Sequence, residues 1–131
     1  MEKEFDRWNE RKKAVHRREQ RLHFEEREIR WCAFGQNVGS ELNGKNRMFG
    51  RPVIIFRKFA FNLFWVVPLT TRPKTGNYYF PITIQEDQKA RWGVLHQLRL
   101  VDGRRFFGKK VGKVSKDEFQ AIRKAVRDLI P

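Results

Sequence analysis

Two hydrophobic periods divide the chain. Residues 2 to about 22 contain neither glycine nor proline, and large apolar side chains occur there only at Phe5, Trp8, Val15 and Leu22 among dense Glu, Arg and Lys. Opposite charges three apart, Glu4 with Arg7 and Glu10 with Lys13, support a helix. The stripe is thin, and its last three members recur every seven residues. It fits a seam against the body or against a second chain, and a solvated single helix fits it equally well. From Glu28 the pattern changes to short apolar runs punctuated by Gly, Pro and Asn, which predicts a small β-barrel. Strands are expected near 28–34, 52–58, 62–70, 78–85, 92–94, 98–106 and 110–113. Ser115-Lys-Asp-Glu118 reads as a capping box. Behind it Phe119, Ile122, Val126 and Leu129 recur at helical spacing and form one stripe for burial, and Pro131 ends the helix. The pattern predicts a mainly β fold with α, in which a charged helical extension, 1–24, precedes a barrel domain, 25–131.

Composition keeps that picture to one domain and gives it a partner. At 131 residues, with 40% hydrophobic content and twelve Phe, four Trp and two Tyr, the chain can fill one core without a staple. Cys32 is the only cysteine and lies in an apolar stretch, which excludes disulfides and thiolate metal sites and suits a reducing, cytoplasmic setting. The mixed-charge start has no apolar signal region, and no apolar run approaches the roughly 20 residues of a membrane span, so the expectation is a protein neither exported nor embedded. The formal charge is +14. Residues 1–30 hold ten Lys/Arg against eight Asp/Glu, leaving nineteen against seven for the body, where the excess therefore sits. Such a field attracts a polyanion, nucleic acid being the usual one, although an acidic protein or surface also fits.

Candidate chemistry gathers at three short runs: Gly39-Ser40-Glu41, Gly50-Arg51-Pro52-Val53 and Val67-Pro68-Leu69-Thr70-Thr71. Arg51 opens one apolar run and Thr70 closes another, so adjacent strands would bring a cation and a hydroxyl to one ligand. An arginine fork is permanently charged and bonds two oxygens at once, which points to a phosphodiester. Lys45, Arg47 and Phe49 before Arg51, and Thr71, Arg72, Lys74, Asn77 and Tyr78 after Thr70, mix basic and aromatic groups in the manner that single-stranded RNA requires. Loop polarity alone explains them as well. His16 and His23 stand in the charged segment and His96 far from them, with no Cys or carboxylate set alongside, so neither a metal site nor a cofactor is expected.

These runs, with Ala33-Phe-Gly-Gln-Asn-Val-Gly-Ser-Glu41 upstream and Leu95-His-Gln-Leu-Arg-Leu-Val-Asp102 downstream, resemble the MazF/PemK family of toxin endoribonucleases from about Glu28 to the C-terminus. The resemblance implies an SH3-like barrel of the MazF/PemK/CcdB kind, and a homodimer that holds single-stranded RNA in a groove between subunits and is bound by a cognate antitoxin protein. It also implies metal-independent cleavage that leaves a 2′,3′-cyclic phosphate and a 5′-hydroxyl. The family's catalytic arginine and threonine fall on Arg51 and Thr70. Glu41 matches the acidic residue of a family turn, either holding the arginine, contacting a base or only stabilising the turn. Gln97 and Arg99 are RNA contacts by the same resemblance, with Arg99 also able to pair Asp102.

The sequence departs from the family in three places. The charged extension has no family counterpart. The loop from Glu41 to Arg51 is longer than in compact members. A family Asp-Gln pair is here His96-Gln97, so His96 is either a proton shuttle near neutral pH or a histidine packed at a strand end. Arg104, Arg105, Lys109 and Lys110 form a basic run that suits a solvated turn or steering of an RNA backbone. Two alternative functions share this fold. A CcdB-like gyrase poison would carry a Trp-Gly-Ile ending, whereas this chain closes Asp128-Leu-Ile-Pro131. A non-enzymatic RNA-binding or regulatory barrel would be favoured by an Arg51 buried in a structural salt bridge.

Overall fold

The computed structural model describes residues 2–19 and 23–131. Helix α1 spans Phe5–His16, and strands β1 (Glu28–Ala33), β2 (Gly50–Lys58), β3 (Leu63–Thr70), β4 (Tyr79–Ile82), β5 (Arg91–Val94), β6 (Arg99–Asp102) and β7 (Phe106–Lys113) precede helix α2 (Lys116–Arg127). All pairings are antiparallel, in the order β4-β5-β3-β2-β1-β7, with β6 added to β3.

Strand β3 is the hub. Its first half pairs with β6 and its last two residues, Leu69 and Thr70, pair with β5, while β2 runs along its other side. Both faces of the central strands are covered, which is why their sequences read as continuous rather than alternating apolar runs. Ile29, Ile54, Val67 and Leu69 face a cluster completed by Phe119 and Ile122 of α2. Cys32, Val53, Ile55 and Val66 face the opposite cluster, with Phe24, Phe64 and Phe106. Val53, Ile54, Ile55, Val66 and Val67 have no solvent exposure, and burying each is worth about 1.5–3 kcal/mol.

Helix α2 starts where expected: Ser115 Oγ accepts from the Glu118 amide at 3.1 Å. The reciprocal arm of the box is missing, because the Glu118 carboxylate turns to the backbone amide of Thr83. The strand expected over 98–106 is broken at Gly103–Arg105 by a 3-10 turn, since the Asp102 carboxylate accepts from the Arg104 amide at 2.9 Å and turns the chain. Strand β4 ends at Ile82, shorter than expected.

Helix α1 is shorter than its charge pattern suggested, and Leu22 of its stripe lies outside the described residues. Trp8 and Val15 are buried with Ala33 and Phe49, so its seam is with the body. Phe5 is largely exposed. Glu4 pairs with Arg7, and Glu10 with Lys13 at 3.3 Å, both in water, where such pairs contribute little. Tertiary contacts hold the helix instead. Arg104 Nη1 donates to the His16 carbonyl at 3.0 Å, Arg18 Nη1 donates to the carbonyls of Arg104 and Phe106, and the Arg105 guanidinium lies over the Trp8 ring. The basic pair 104–105 therefore docks α1 rather than forming a free solvated turn. Gly35 permits this packing: with a positive φ of 95°, it would place a Cβ 2.4 Å from the Trp8 ring.

Candidate active site

Arg51 and Thr70 lie two residues outward from the paired Val53 and Pro68 on β2 and β3, in the same register. Both line a cavity of 610 Å³ with Glu41, Lys45, Arg72, Lys74 and Gln97, and with Lys3 from the extension. A second cavity of 210 Å³ shares Arg51, Thr70 and Lys45 and adds Trp31, Thr71, Lys89 and Arg91. The two residues thus stand between a wider hollow lined by lysines and arginines and a smaller one with an aromatic wall.

Arg51 is only 8% exposed. Its Nε donates to the Asn43 carbonyl at 2.7 Å and its Nη1 to the Leu69 carbonyl at 3.0 Å. No carboxylate pairs with it among the described residues, and Nη2 has no protein partner there. Two backbone oxygens therefore orient the guanidinium without neutralising it. Burial first, and the Arg72 charge second, lower its affinity for the proton, an arrangement that an arriving anion relieves. Thr70 Oγ1 accepts from the Arg72 amide at 3.2 Å. That bond occupies one lone pair and leaves the hydroxyl hydrogen free to donate.

Glu41 lines the large cavity but does not hold Arg51. Its Oε1 accepts from the Val38 amide at 2.9 Å and so closes its own turn. Gln97 is likewise engaged, its Oε1 accepting from the Leu42 amide at 2.7 Å. His96 is away from Arg51 and Thr70, in a neighbouring cavity with Glu41, Gln97 and Arg99, where its ring stacks on Tyr78 at 4.7 Å. Arg99 is held by the Phe34 carbonyl at 3.2 Å and lies over the Phe34 ring; it does not pair with Asp102, which Arg104 occupies.

The loop before Arg51 is a tight hairpin. Lys45 and Gly50 exchange backbone bonds of 2.8 and 2.9 Å, and the Asn46 side chain accepts from the Met48 amide. Gly44 must be glycine, since a Cβ there would lie 1.6 Å from the Phe49 carbonyl oxygen. Phe49, expected to stack on RNA, is instead 3% exposed beneath α1, 5.6 Å from the Trp8 ring. Arg47 is exposed at the tip. Beyond Thr70, Lys74 rests over the Tyr79 ring at 5.6 Å, and Asn77 and Tyr78 are exposed outside the two cavities that Arg51 lines. Among the described residues no group of three His, Cys, Asp or Glu could hold a metal ion, and no helix is long and apolar enough to cross a membrane.

Sequence reasoning missed Trp31, Asn43, Lys89, Arg91 and Lys3. Trp31 belongs to an expected strand and gave no separate signal. Asn43 acts through its backbone carbonyl, which no side-chain pattern marks. Arg91 is gripped by Asp87, at 2.9 Å between Nη1 and Oδ1, and that grip holds the Asp87 carboxyl well below the usual carboxylate range.

Residues 25–130 match the family described as PemK-like, MazF-like toxin of type II toxin-antitoxin system. Among solved structures, MazF from Deinococcus radiodurans gives a TM-score of 0.69 at 18% identity, covering 84% of this chain and 98% of its own. An endoribonuclease from mycobacterial species, solved in complex with its cognate antitoxin, gives 0.61 at 13% identity over 83% and 98%. The Mycobacterium tuberculosis toxin MazF-mt6 gives 0.58 at 15% identity over 78% and 94%. At these identities the structural likeness is one of fold. No curated protein sequence matches the chain.

Proposed function

Since this chain belongs to the PemK-like, MazF-like toxin family of type II toxin-antitoxin systems, we propose that it is a cytoplasmic endoribonuclease that cuts single-stranded RNA without a metal ion. The observation that carries this reading is the Arg51 guanidinium, oriented by two carbonyls, paired with no carboxylate among the described residues, and lining a basic cavity together with Thr70. RNA supplies its own nucleophile. The 2′-hydroxyl attacks the adjacent phosphorus and gives its proton to water, the bond to the 5′-oxygen breaks and that oxygen takes a proton from water, and the products are a 2′,3′-cyclic phosphate and a 5′-hydroxyl.

In this mechanism Arg51 donates from Nη2 to a non-bridging oxygen as charge builds on the phosphorane. Because the guanidinium is fixed in advance, it stabilises that charge with little rearrangement. Thr70 donates to a second phosphate oxygen and so aligns the attack. Neither residue acts as a strong base, since a guanidinium keeps its proton and a threonine hydroxyl is a weak acid. The buried Arg51 does not favour the regulatory-barrel alternative, because among the described residues its partners are backbone carbonyls and not a carboxylate.

A cognate antitoxin is the protein partner, an acidic segment suiting the basic cavity, and the working unit is a homodimer. The test is incubation with long single-stranded RNA in EDTA, followed by mapping of the ends. Discrete cuts with 5′-hydroxyl ends, abolished when the nucleotide before the cut carries a 2′-deoxyribose, are expected. Intact RNA that is still bound would sink the reading.

A further inference from the structure

The family match begins at residue 25, yet the extension before it reaches the candidate site. Lys3 lines the large cavity with Arg51 and Thr70. Its ammonium donates to the Asn37 carbonyl, to the Gly39 carbonyl at 3.2 Å and to Asn43 Oδ1 at 3.5 Å. A lysine has three N–H donors, and all three have acceptors here. All the acceptors belong to one excursion of the chain, 36–44. That excursion is closed at its base by the Gly44 amide on the Gly35 carbonyl, 2.7 Å, and internally by the Asn37 amide on Asn43 Oδ1, 2.6 Å. The Glu4 amide adds a bond to Gln36 Oε1 at 3.2 Å.

Asn43 links this tie to the site. Its side chain takes Lys3 and the Asn37 amide, while its carbonyl takes Arg51 Nε at 2.7 Å. The position of one of the two oxygens that orient Arg51 therefore depends on a segment that Lys3 pins. Helix α1 supplies the rigid mount, because Trp8 is buried against Gly35 and Phe49 at the two ends of the same loop region.

We propose that Lys3 is a positioning residue for the Arg51 site: from the N-terminal extension it fixes the 36–44 segment, and through Asn43 it sets the guanidinium. This rests on the ribonuclease reading above. A lysine at a basic cavity could instead touch phosphate directly, but its three donors are already committed to the protein. Its removal then acts on the rate of the chemical step more than on RNA binding, because small displacements of a catalytic group cost up to about a hundredfold.

The test uses the full chain with Lys3→Ala and Lys3→Arg, and RNA carrying one cleaved site. Lys3→Ala should lower kcat by about tenfold or more with KM changed by less than about twofold, and Lys3→Arg should recover most of the rate. Unchanged kcat overturns the proposal, as does a loss confined to KM with a weaker salt dependence, which would make Lys3 a phosphate contact. Hydrogen exchange decides the structural half without any substrate. The amides of Asn37 and Gly44 should exchange about tenfold faster in Lys3→Ala, and equal protection overturns the tie. RNA left uncut by the wild type would count against the ribonuclease reading and end the catalytic role proposed for Lys3. The exchange result would then establish or refute its hold on the loop.

Discussion

Arg51 is oriented by Asn43 and Leu69 carbonyls and Thr70 by the Arg72 amide, so each catalytic candidate depends on backbone that its own sequence position does not reveal. Thr70→Val keeps the shape and removes the donor. It should slow cleavage by about tenfold or more while leaving RNA binding nearly unchanged, and an unaltered single-turnover rate would remove Thr70 from the mechanism. Cys32 offers a check on the core. Burial pushes its thiol up to about 12, so a thiol-reactive dye should fail to label it at pH 8 until denaturant unfolds the chain. Fast labelling of the native protein would mean that the β1–β7 face opens. Asp102 makes a pH prediction. Its hydrogen bonds with Arg104 lower its carboxyl below the ordinary value despite an opposing effect of burial. A carboxyl that is depressed in the folded state contributes stability above the unfolded value of about 3.9 and loses it as pH falls through the folded value. Unfolding midpoints measured from pH 6 to pH 2 should therefore fall less steeply for Asp102→Asn than for the wild type. Identical slopes would contradict the coupling. That the arginine and threonine meet at one cavity was legible, because Arg51 opens one apolar run and Thr70 closes another. Phe49 was misread because a basic, aromatic loop looks the same whether its ring stacks on RNA or anchors a helix.

At the scale of elements, the apolar runs gave the central strands and the Phe119–Leu129 stripe gave α2, since burial on one or both faces leaves a direct pattern in sequence. Breaks in strands were harder to see. The end of β6 is made by one Asp102–Arg104 bond, and nothing in the flanking hydrophobicity announces it. Helix α1 was overextended for the opposite reason. Its charge pattern persists past His16, but burial of Trp8 and Val15, not propensity, is what holds it. Ser115→Ala should cost about 1 kcal/mol in urea unfolding, since the Glu118 amide loses its acceptor. No change would mean that another acceptor replaces it.

For the molecule as a whole, the excess positive charge lies in the body that carries the cavities. Counterion release then predicts RNA affinity that falls steeply with salt, with a slope near −0.7 for each phosphate contact in single-stranded RNA. Replacing Lys74 by alanine should reduce that slope by about one contact or less and lower affinity for all RNA sequences alike. What no charge count could reveal is that the extension, with eight Lys/Arg against five Asp/Glu, folds back to line the site. That depends on long-range packing of Trp8 against Gly35 and Phe49.

The central claim is that Arg51 stabilises the charge that develops when RNA is cut at this site. It is tested most directly by single-turnover cleavage of one defined RNA in EDTA by the wild type and by Arg51→Ala, with circular dichroism and RNA binding measured on the same samples. The account predicts a loss of at least about a hundredfold in rate, with the fold retained and RNA still bound; cleavage by the folded variant at the wild-type rate would contradict it.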